Sequence, residues 1–279
     1  MINDDTSFSY NSNSKKLNSS IKFNSVCIDN FFSEPDIIRK WGMSLPKQPD
    51  SEGNWPGLRS QPLHVLDRNF ANTFLLKVIS CYFDLKYEDI SWKSSNVRFQ
   101  LINKFDEDKS NAKNIGWIHQ DYGHDLAGLI YLTPEADLNT GTSLFNLKPE
   151  YEKTFLNYVT EPEKEALYSG EKVNDKHYAE SLNIRNNKFY EKTNFSNVYN
   201  RLIVYDANEF HRANNFFTKN NERLTLIFFI NNISCHKAPM DRICDVENFD
   251  NKLKIRINNF YENIKSEEKL PEQTDISDK

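Results

Sequence analysis

Trp117-Ile118-His119-Gln120-Asp121 is followed, after a short polar gap, by Leu126-Ala127-Gly128-Leu129-Ile130-Tyr131-Leu132-Thr133-Pro134. The second piece is an apolar run stopped by proline, the pattern of a strand. Residues two apart on an extended segment share a face, so His119 and Asp121 can both reach one metal ion. A third ligand is available downstream in Glu209-Phe210-His211-Arg212, directly after the strong strand signal of Asn200-Arg201-Leu202-Ile203-Val204-Tyr205-Asp206. Two imidazoles and one carboxylate on one side of a metal leave its other positions open, an arrangement suited to non-haem iron(II).

Outward from this pair the chain reads as strands. Val97, Phe99 and Leu101 alternate with Arg98 and Gln100, as in a half-buried strand. Gly141-Thr142-Ser143-Leu144-Phe145 is a turn entering another, and Arg223-Leu224-Thr225-Leu226-Ile227-Phe228-Phe229-Ile230 is a third. With 20 Phe and 13 Tyr in 279 residues, the composition agrees with a mainly β fold with flanking helices. One helix is expected to start at Ser33, with Pro35 in its first turn, and to stop near Gly42. A second is marked by Phe70, Phe74, Val78 and Cys81 or Tyr82, and a last one by Phe249, Leu253, Ile257, Phe260 and Ile264.

Residues 44–67 hold four of the ten prolines and are expected to be irregular. Within them, Trp55-Pro56-Gly57-Leu58-Arg59 is either a loop packed by its tryptophan or one that presents Arg59 to the site. Residues 149–199 separate two groups of strands by too many residues for an ordinary connection, so a partly helical insertion or lid is expected there. The organisation that follows is a flexible tail over 1–20, a single domain over 21–264 interrupted by the 149–199 insertion, and a second tail over 265–279.

A net charge of −5 supplies no basic field for nucleic acid. No window is long and apolar enough to span a membrane, and the polar start Met1-Ile2-Asn3-Asp4-Asp5 is unlike a signal peptide, so a soluble, cytoplasmic protein is expected. Cys27, Cys81, Cys235 and Cys244 show no metal or disulfide spacing and read as buried, reduced thiols. Oligomeric state leaves no mark on the chain.

From about Arg98 to Ile230 the sequence resembles the iron(II)- and 2-oxoglutarate-dependent oxygenases, and within them a branch related to the prolyl-4-hydroxylase-type enzymes. The resemblance rests on His119-Gln120-Asp121, Leu129-Ile130-Tyr131-Leu132, Gly141-Thr142-Ser143, Asn200-Arg201-Leu202, His211 and Arg223-Leu224-Thr225. It implies a double-stranded β-helix core (jelly-roll, cupin-like), with His119, Asp121 and His211 as catalytic iron ligands. It further implies that Arg223 and Thr225 hold the distal carboxylate of 2-oxoglutarate, with Tyr131 as a further contact. A guanidinium fork suits a carboxylate, and a hydroxyl on the same strand face can add to it.

The activity so implied is hydroxylation of a small molecule or of a free or peptidyl amino acid, coupled to decarboxylation of 2-oxoglutarate, with ascorbate as a reductant. Asp121 favours hydroxylation, since family members that halogenate lack that ligand. Each residue also has a plainer reading: Arg223 as a cation at a strand start, Tyr131 as a packed core tyrosine, and His124 as a substitute ligand. Two other functions remain open, a cupin-like metal enzyme without 2-oxoglutarate and a non-catalytic jelly-roll binding protein.

Overall fold

A computed structural model describes residues 6–10, 15–16, 21–156, 161–218, 222–244 and 249–267. In chain order the strands are β1 (Phe8–Tyr10), β2 (Lys15–Lys16), β3 (Val26–Ile28), β4 (Lys47–Pro49), β5 (Leu58–Ser60), β6 (Ile90–Trp92), β7 (Ser94–Ile102), β8 (Leu126–Tyr131), β9 (Thr142–Leu147), β10 (Phe189–Phe195), β11 (Leu202–Asp206), β12 (Phe210–Ala213), β13 (Arg223–Asn231) and β14 (Ser234–Cys235). The helices are α1 (Pro35–Ser44), α2 (Leu63–Leu66), α3 (Arg68–Ile79), α4 (Pro162–Ser169), α5 (Asp175–Asn186), α6 (Pro239–Cys244) and α7 (Phe249–Glu267). Residues up to Met240 form one unit; Asp241 onwards forms another, whose described part includes the 19-residue helix α7.

Period-two alternation builds the larger unit. Seven strands pair in the order β3-β11-β8-β13-β7-β5-β4, with antiparallel neighbours throughout. On β13, Leu224, Leu226, Phe228 and Ile230 point to one face, where Phe74, Leu75, Val78 and Ile79 of α3 cover them. On β8 and β11 the odd and even positions likewise divide, so that Leu129, Tyr131, Ile203 and Tyr205 pack on the opposite face with Leu144 of β9 and Phe195 of β10. A second, three-stranded sheet in the order β10-β9-β12 lies on that side, giving the two-sheet jelly-roll with flanking helices. A small sheet, β1-β6-β14-β2, is built from short strands.

Helix α3 begins as its sequence dictates, with the Asp67 carboxylate accepting from the Phe70 N–H at 2.9 Å. Helix α1 departs from expectation at both ends. Its N-cap is Glu34 rather than Ser33, without a side-chain cap, and it runs past Gly42 to Ser44. Gly42 is buried, and a Cβ there would lie 2.5 Å from Phe99 Cδ1, so this glycine serves close packing and not termination.

Two further expectations are corrected and a third is extended. The proline-rich 44–67 segment is only partly irregular: it contains β4, β5 and α2, because Pro46 and Pro49 bound β4 and Pro62 precedes α2, while Pro56 lies in the irregular stretch between the two strands. The helical part expected in 149–199 is present as α4 and α5, and the stretch also holds β10, whose run of exposed residues and shifted register between Glu191 and Thr193 hide a strand pattern. Cys27 is exposed on the outer strand β3, where burial was expected. Of the 1–20 tail, residues 6–10 and 15–16, with β1 and β2, are described and the remainder lies outside the described residues, as do 268–279 of the C-terminal tail. Among the described residues, no helix is long and apolar enough to cross a membrane.

Candidate functional site

The segment Gly116–His119 runs beside β12 and extends the smaller sheet. Its inner edge is bonded to β12 by His119 and His211, which form an isolated antiparallel bridge, and by the Gly116 N–H donating to Ala213 O at 3.1 Å. A Cβ on Gly116 would come within 2.4 Å of Ala213 O, so only glycine permits this approach. The outer edge is satisfied by side chains at the end of α5. Asn186 Oδ1 accepts from the Ile118 N–H at 3.1 Å and its Nδ2 donates to Gly116 O at 3.3 Å, while Arg185 Nε donates to Ile118 O at 3.1 Å. An edge that would otherwise leave backbone groups unpaired is thereby closed. Trp117 anchors the segment through Nε1, which donates to the Tyr178 hydroxyl at 2.8 Å.

This frame brings the candidate residues together. One ligand atom each from His119, Asp121 and His211 lie within 4.8 Å of one another, and the three could hold a metal ion. His211 Nε2 is 3.2 Å from Asp121 Oδ2, and His119 Nε2 is 3.8 Å from Asp121 Oδ1. Ligands at right angles, each about 2.1 Å from a metal, sit about 3 Å apart, so the donor set fits such an ion with little adjustment. Both imidazoles are oriented alike. His119 Nδ1 bonds Trp117 O at 2.8 Å and His211 Nδ1 bonds Glu209 O at 3.0 Å, which puts a proton on each Nδ1 and turns each Nε2 toward the metal position.

The charges are coupled. Burial raises the Asp121 carboxyl, but the neighbouring His211, by charge and hydrogen bond, overcomes this and holds it at about 2. Burial also works against a charged His211, yet the Asp121 carboxylate draws its imidazole above the ordinary value. His119 moves the other way, below the ordinary range, through burial and the adjacent His211 charge.

These residues open into a cavity of about 110 Å³ that Arg223, Thr225, Gln100, Arg59 and Lys164 also line. Arg223 and Thr225 project from the same face of β13, and Thr225 is in register with Gln100 of β7 and Tyr131 of β8. Arg223 is 2 % exposed; its Nε donates to Thr140 O at 3.1 Å, while Nη2 has no hydrogen-bond partner. A buried guanidinium with an unused donor is costly unless an anion completes it.

Tyr131 is not among the cavity-lining residues. Its hydroxyl donates to Thr142 Oγ1 at 2.9 Å, and its ring lies 5.6 Å from the Arg223 guanidinium carbon. His124 also stays outside the cavity and stacks on Phe229 at 4.9 Å between ring centroids.

Three cavity residues carry little sequence signal. Gln100 occupies a polar alternate that reads as solvent-facing, yet it is buried and turned to the cavity. Lys164 comes from α4 of the insertion, and Asn54 from the loop before β5.

Residues 18–226 match a family model described as a family of unknown function, DUF6445. The chain belongs to that family. No curated protein matches this DUF6445 chain. Among solved structures it is similar to a 2OG-Fe(II) oxygenase family oxidoreductase from Burkholderia pseudomallei, at 12 % identity and TM-score 0.44, covering 77 % of this chain and 86 % of that one. It is also similar to HygX from Streptomyces hygroscopicus with nickel and 2-oxoglutarate bound, at 11 % identity and TM-score 0.45, covering 75 % and 84 %. A third similarity is to a Pseudomonas putida prolyl-4-hydroxylase, at 11 % identity and TM-score 0.39, covering 74 % and 91 %.

Proposed function

We propose that this DUF6445 chain is an iron(II)- and 2-oxoglutarate-dependent oxygenase, a hydroxylase of a small molecule or of a free or peptidyl amino acid. One observation carries the reading: the clustered ligand atoms of His119, Asp121 and His211 share a single cavity with the buried, incompletely bonded guanidinium of Arg223. Neither half alone would select this chemistry, because metal clusters and buried arginines each occur for other reasons.

In this reading His119, Asp121 and His211 bind iron(II) through Nε2, a carboxylate oxygen and Nε2. Arg223 takes the distal carboxylate of 2-oxoglutarate through Nη2, and the Thr225 hydroxyl adds a hydrogen bond. When bound, iron(II) and 2-oxoglutarate supply oxidative decarboxylation to succinate coupled to oxidation of a substrate C–H bond. The chain positions the reagents and keeps water out. Trp117, Tyr168, Tyr205 and Phe216 provide apolar cavity walls, and the Nδ1 bonds to Trp117 O and Glu209 O hold both imidazoles in the ligating tautomer.

Anaerobic titration of 2-oxoglutarate into the iron(II)-loaded protein tests the reading. A metal-to-ligand absorption band is expected, followed in air by succinate release with ascorbate present. Metal binding with no band and no 2-oxoglutarate binding would instead favour a cupin-like metal enzyme. Absence of metal binding would favour a non-catalytic jelly-roll.

A further inference from the structure

We infer that Arg59 is the anchor for an anionic group, a carboxylate or phosphate, on the small molecule that this site oxidises; the inference rests on the oxygenase reading above. Arg59 lies on β5, paired in register with Gln100, which is in turn paired with Thr225. Residues opposite one another on antiparallel strands share a face, so Arg59 stands on the same cavity floor as Thr225, two strand spacings or about 10 Å away. That separation gives the two arginines distinct anions to hold.

The guanidinium is built in rather than loosely placed. Its Cζ sits 4.3 Å from the Trp55 ring centroid and 6.0 Å from that of Phe229. Its one hydrogen bond among the described residues, Nη2 to Gln100 Oε1, is long at 3.5 Å, and Gln100 is itself fixed by donating to Pro56 O at 2.7 Å. Nε is buried without a partner, and Arg59 makes no ion pair among the described residues. Burial lowers its pKa to about 9, still leaving it charged at neutral pH.

Charge balance points the same way. Asp121 is the sole carboxylate among the cavity-lining residues. A divalent metal with Asp121, taken together with Arg223 and doubly charged 2-oxoglutarate, is neutral. Arg59 is then left without an ion-pair partner, Asp50 acting on it only through longer-range charge, in a place where a poorly compensated charge is expensive. Lys164, which also lines the cavity, shares Glu161 at 3.9 Å with Arg185 at 3.3 Å and has Glu165 as a further carboxylate acting on it. Beyond Trp55 and Arg59 an adjoining cavity of about 310 Å³ adds Arg98 and the apolar Leu45, Pro46 and Leu66, with no acidic residue in its lining. The substrate class that fits is an organic acid or phosphate ester with an apolar or flat body lying along Trp55 and Phe229.

Calorimetric titration of the full chain, loaded with manganese(II) and saturating 2-oxoglutarate, tests the assignment with benzoate, phenyl phosphate, inorganic phosphate and benzylamine as probes. At least one anion should bind and benzylamine should not; the comparison of benzoate with the two phosphates tells a carboxylate seat from a phosphate seat. Arg59→Gln should weaken that anion ten-fold or more while changing 2-oxoglutarate affinity less than two-fold, and Arg59→Lys should fall between. Unchanged thermal melting of both variants excludes misfolding. No anion binding, equal binding of benzylamine, anion binding abolished by 2-oxoglutarate, or equal losses of anion and 2-oxoglutarate in Arg59→Gln would each overturn the inference. Failure of 2-oxoglutarate to bind the wild type would reject the oxygenase reading separately, and the anion titrations with metal alone would still judge Arg59.

Discussion

His119 and His211 face each other across an antiparallel bridge in which each backbone N–H donates to the other's carbonyl, at 3.0 and 2.8 Å, with ring centroids 4.4 Å apart. The separation of 92 positions in the sequence is thus closed by a pair of backbone hydrogen bonds. Residues so paired have Cα atoms about 5.5 Å apart and side chains on one face. Asp121, two positions beyond His119, is carried to the same place, and its own N–H donates to Ala207 O at 3.0 Å.

Removing one imidazole should therefore cost metal and little else. We expect His119→Ala to lower iron(II) or manganese(II) affinity by about two orders of magnitude or more, since outer-sphere changes alone cost 10- to 100-fold. Equilibrium dialysis followed by metal analysis reads this. Unchanged affinity would reject the triad.

Arg223→Ala separates co-substrate from metal. Loss of a charge-assisted hydrogen-bond set of about 1.5–3 kcal/mol corresponds to roughly 10- to 100-fold weaker 2-oxoglutarate binding. Metal affinity should stay within a few-fold. Equal losses in both would mark a folding defect rather than a lost carboxylate seat.

Metal uptake should release a proton. In the metal-free protein the raised His211 pKa makes its ion pair with Asp121 a source of stability that is full below the ordinary 6.5 and lost as pH rises through the raised value. Asp121, held at about 2, stays ionised throughout this window and takes no part in the titration. A metal must displace the proton on His211 Nε2, so apparent affinity should climb with pH until the raised His211 value is passed and level off above it. Calorimetry in buffers of different ionisation enthalpy counts the proton, and a count of zero would refute the coupling.

The helical insertion should matter to metal without touching it. Asn186 and Arg185 close the outer edge of the strand that carries His119. Asn186→Ala is expected to weaken metal binding by about ten-fold while the protein remains folded. Manganese(II) titration alongside circular dichroism distinguishes this from global unfolding.

Gly42→Ala should fail to stabilise α1. Helix propensity favours alanine by about 1 kcal/mol, but the added Cβ meets Phe99 at 2.5 Å and overpacking costs about 1–3 kcal/mol. Urea denaturation should show a midpoint unchanged or lowered. A raised midpoint would mean that the Phe99 ring can yield.

Strand faces were legible in the chain because period two is local: Leu224, Leu226 and Phe228 against Thr225, Ile227 and Phe229 divide the β13 positions before any partner is known. The spacing of His119 and Asp121, and the position of His211 after an apolar strand, were readable for the same reason. Helix α3 announced itself by its stripe of Phe70, Phe74 and Val78.

β10 was hidden because exposed strand residues carry no apolar alternation and a register shift breaks what remains. Gln100 and Arg59 were ambiguous for a different reason. Alternation says that two faces differ, but what covers the polar face, water or a second sheet, depends on residues far away in the sequence.

By itself, then, the sequence determined which residues share a strand face, which stripe marks the covering helix, and that two imidazoles and a carboxylate were available near strong strands. Only the tertiary structure decided that those three converge, that Tyr131 spends its hydroxyl on Thr142 while Arg223 keeps a free nitrogen, and that Arg59 turns inward beside Trp55. The physical reason is that periodicity is set by the local backbone, whereas burial of a polar face and satisfaction of its donors are set by long-range pairing.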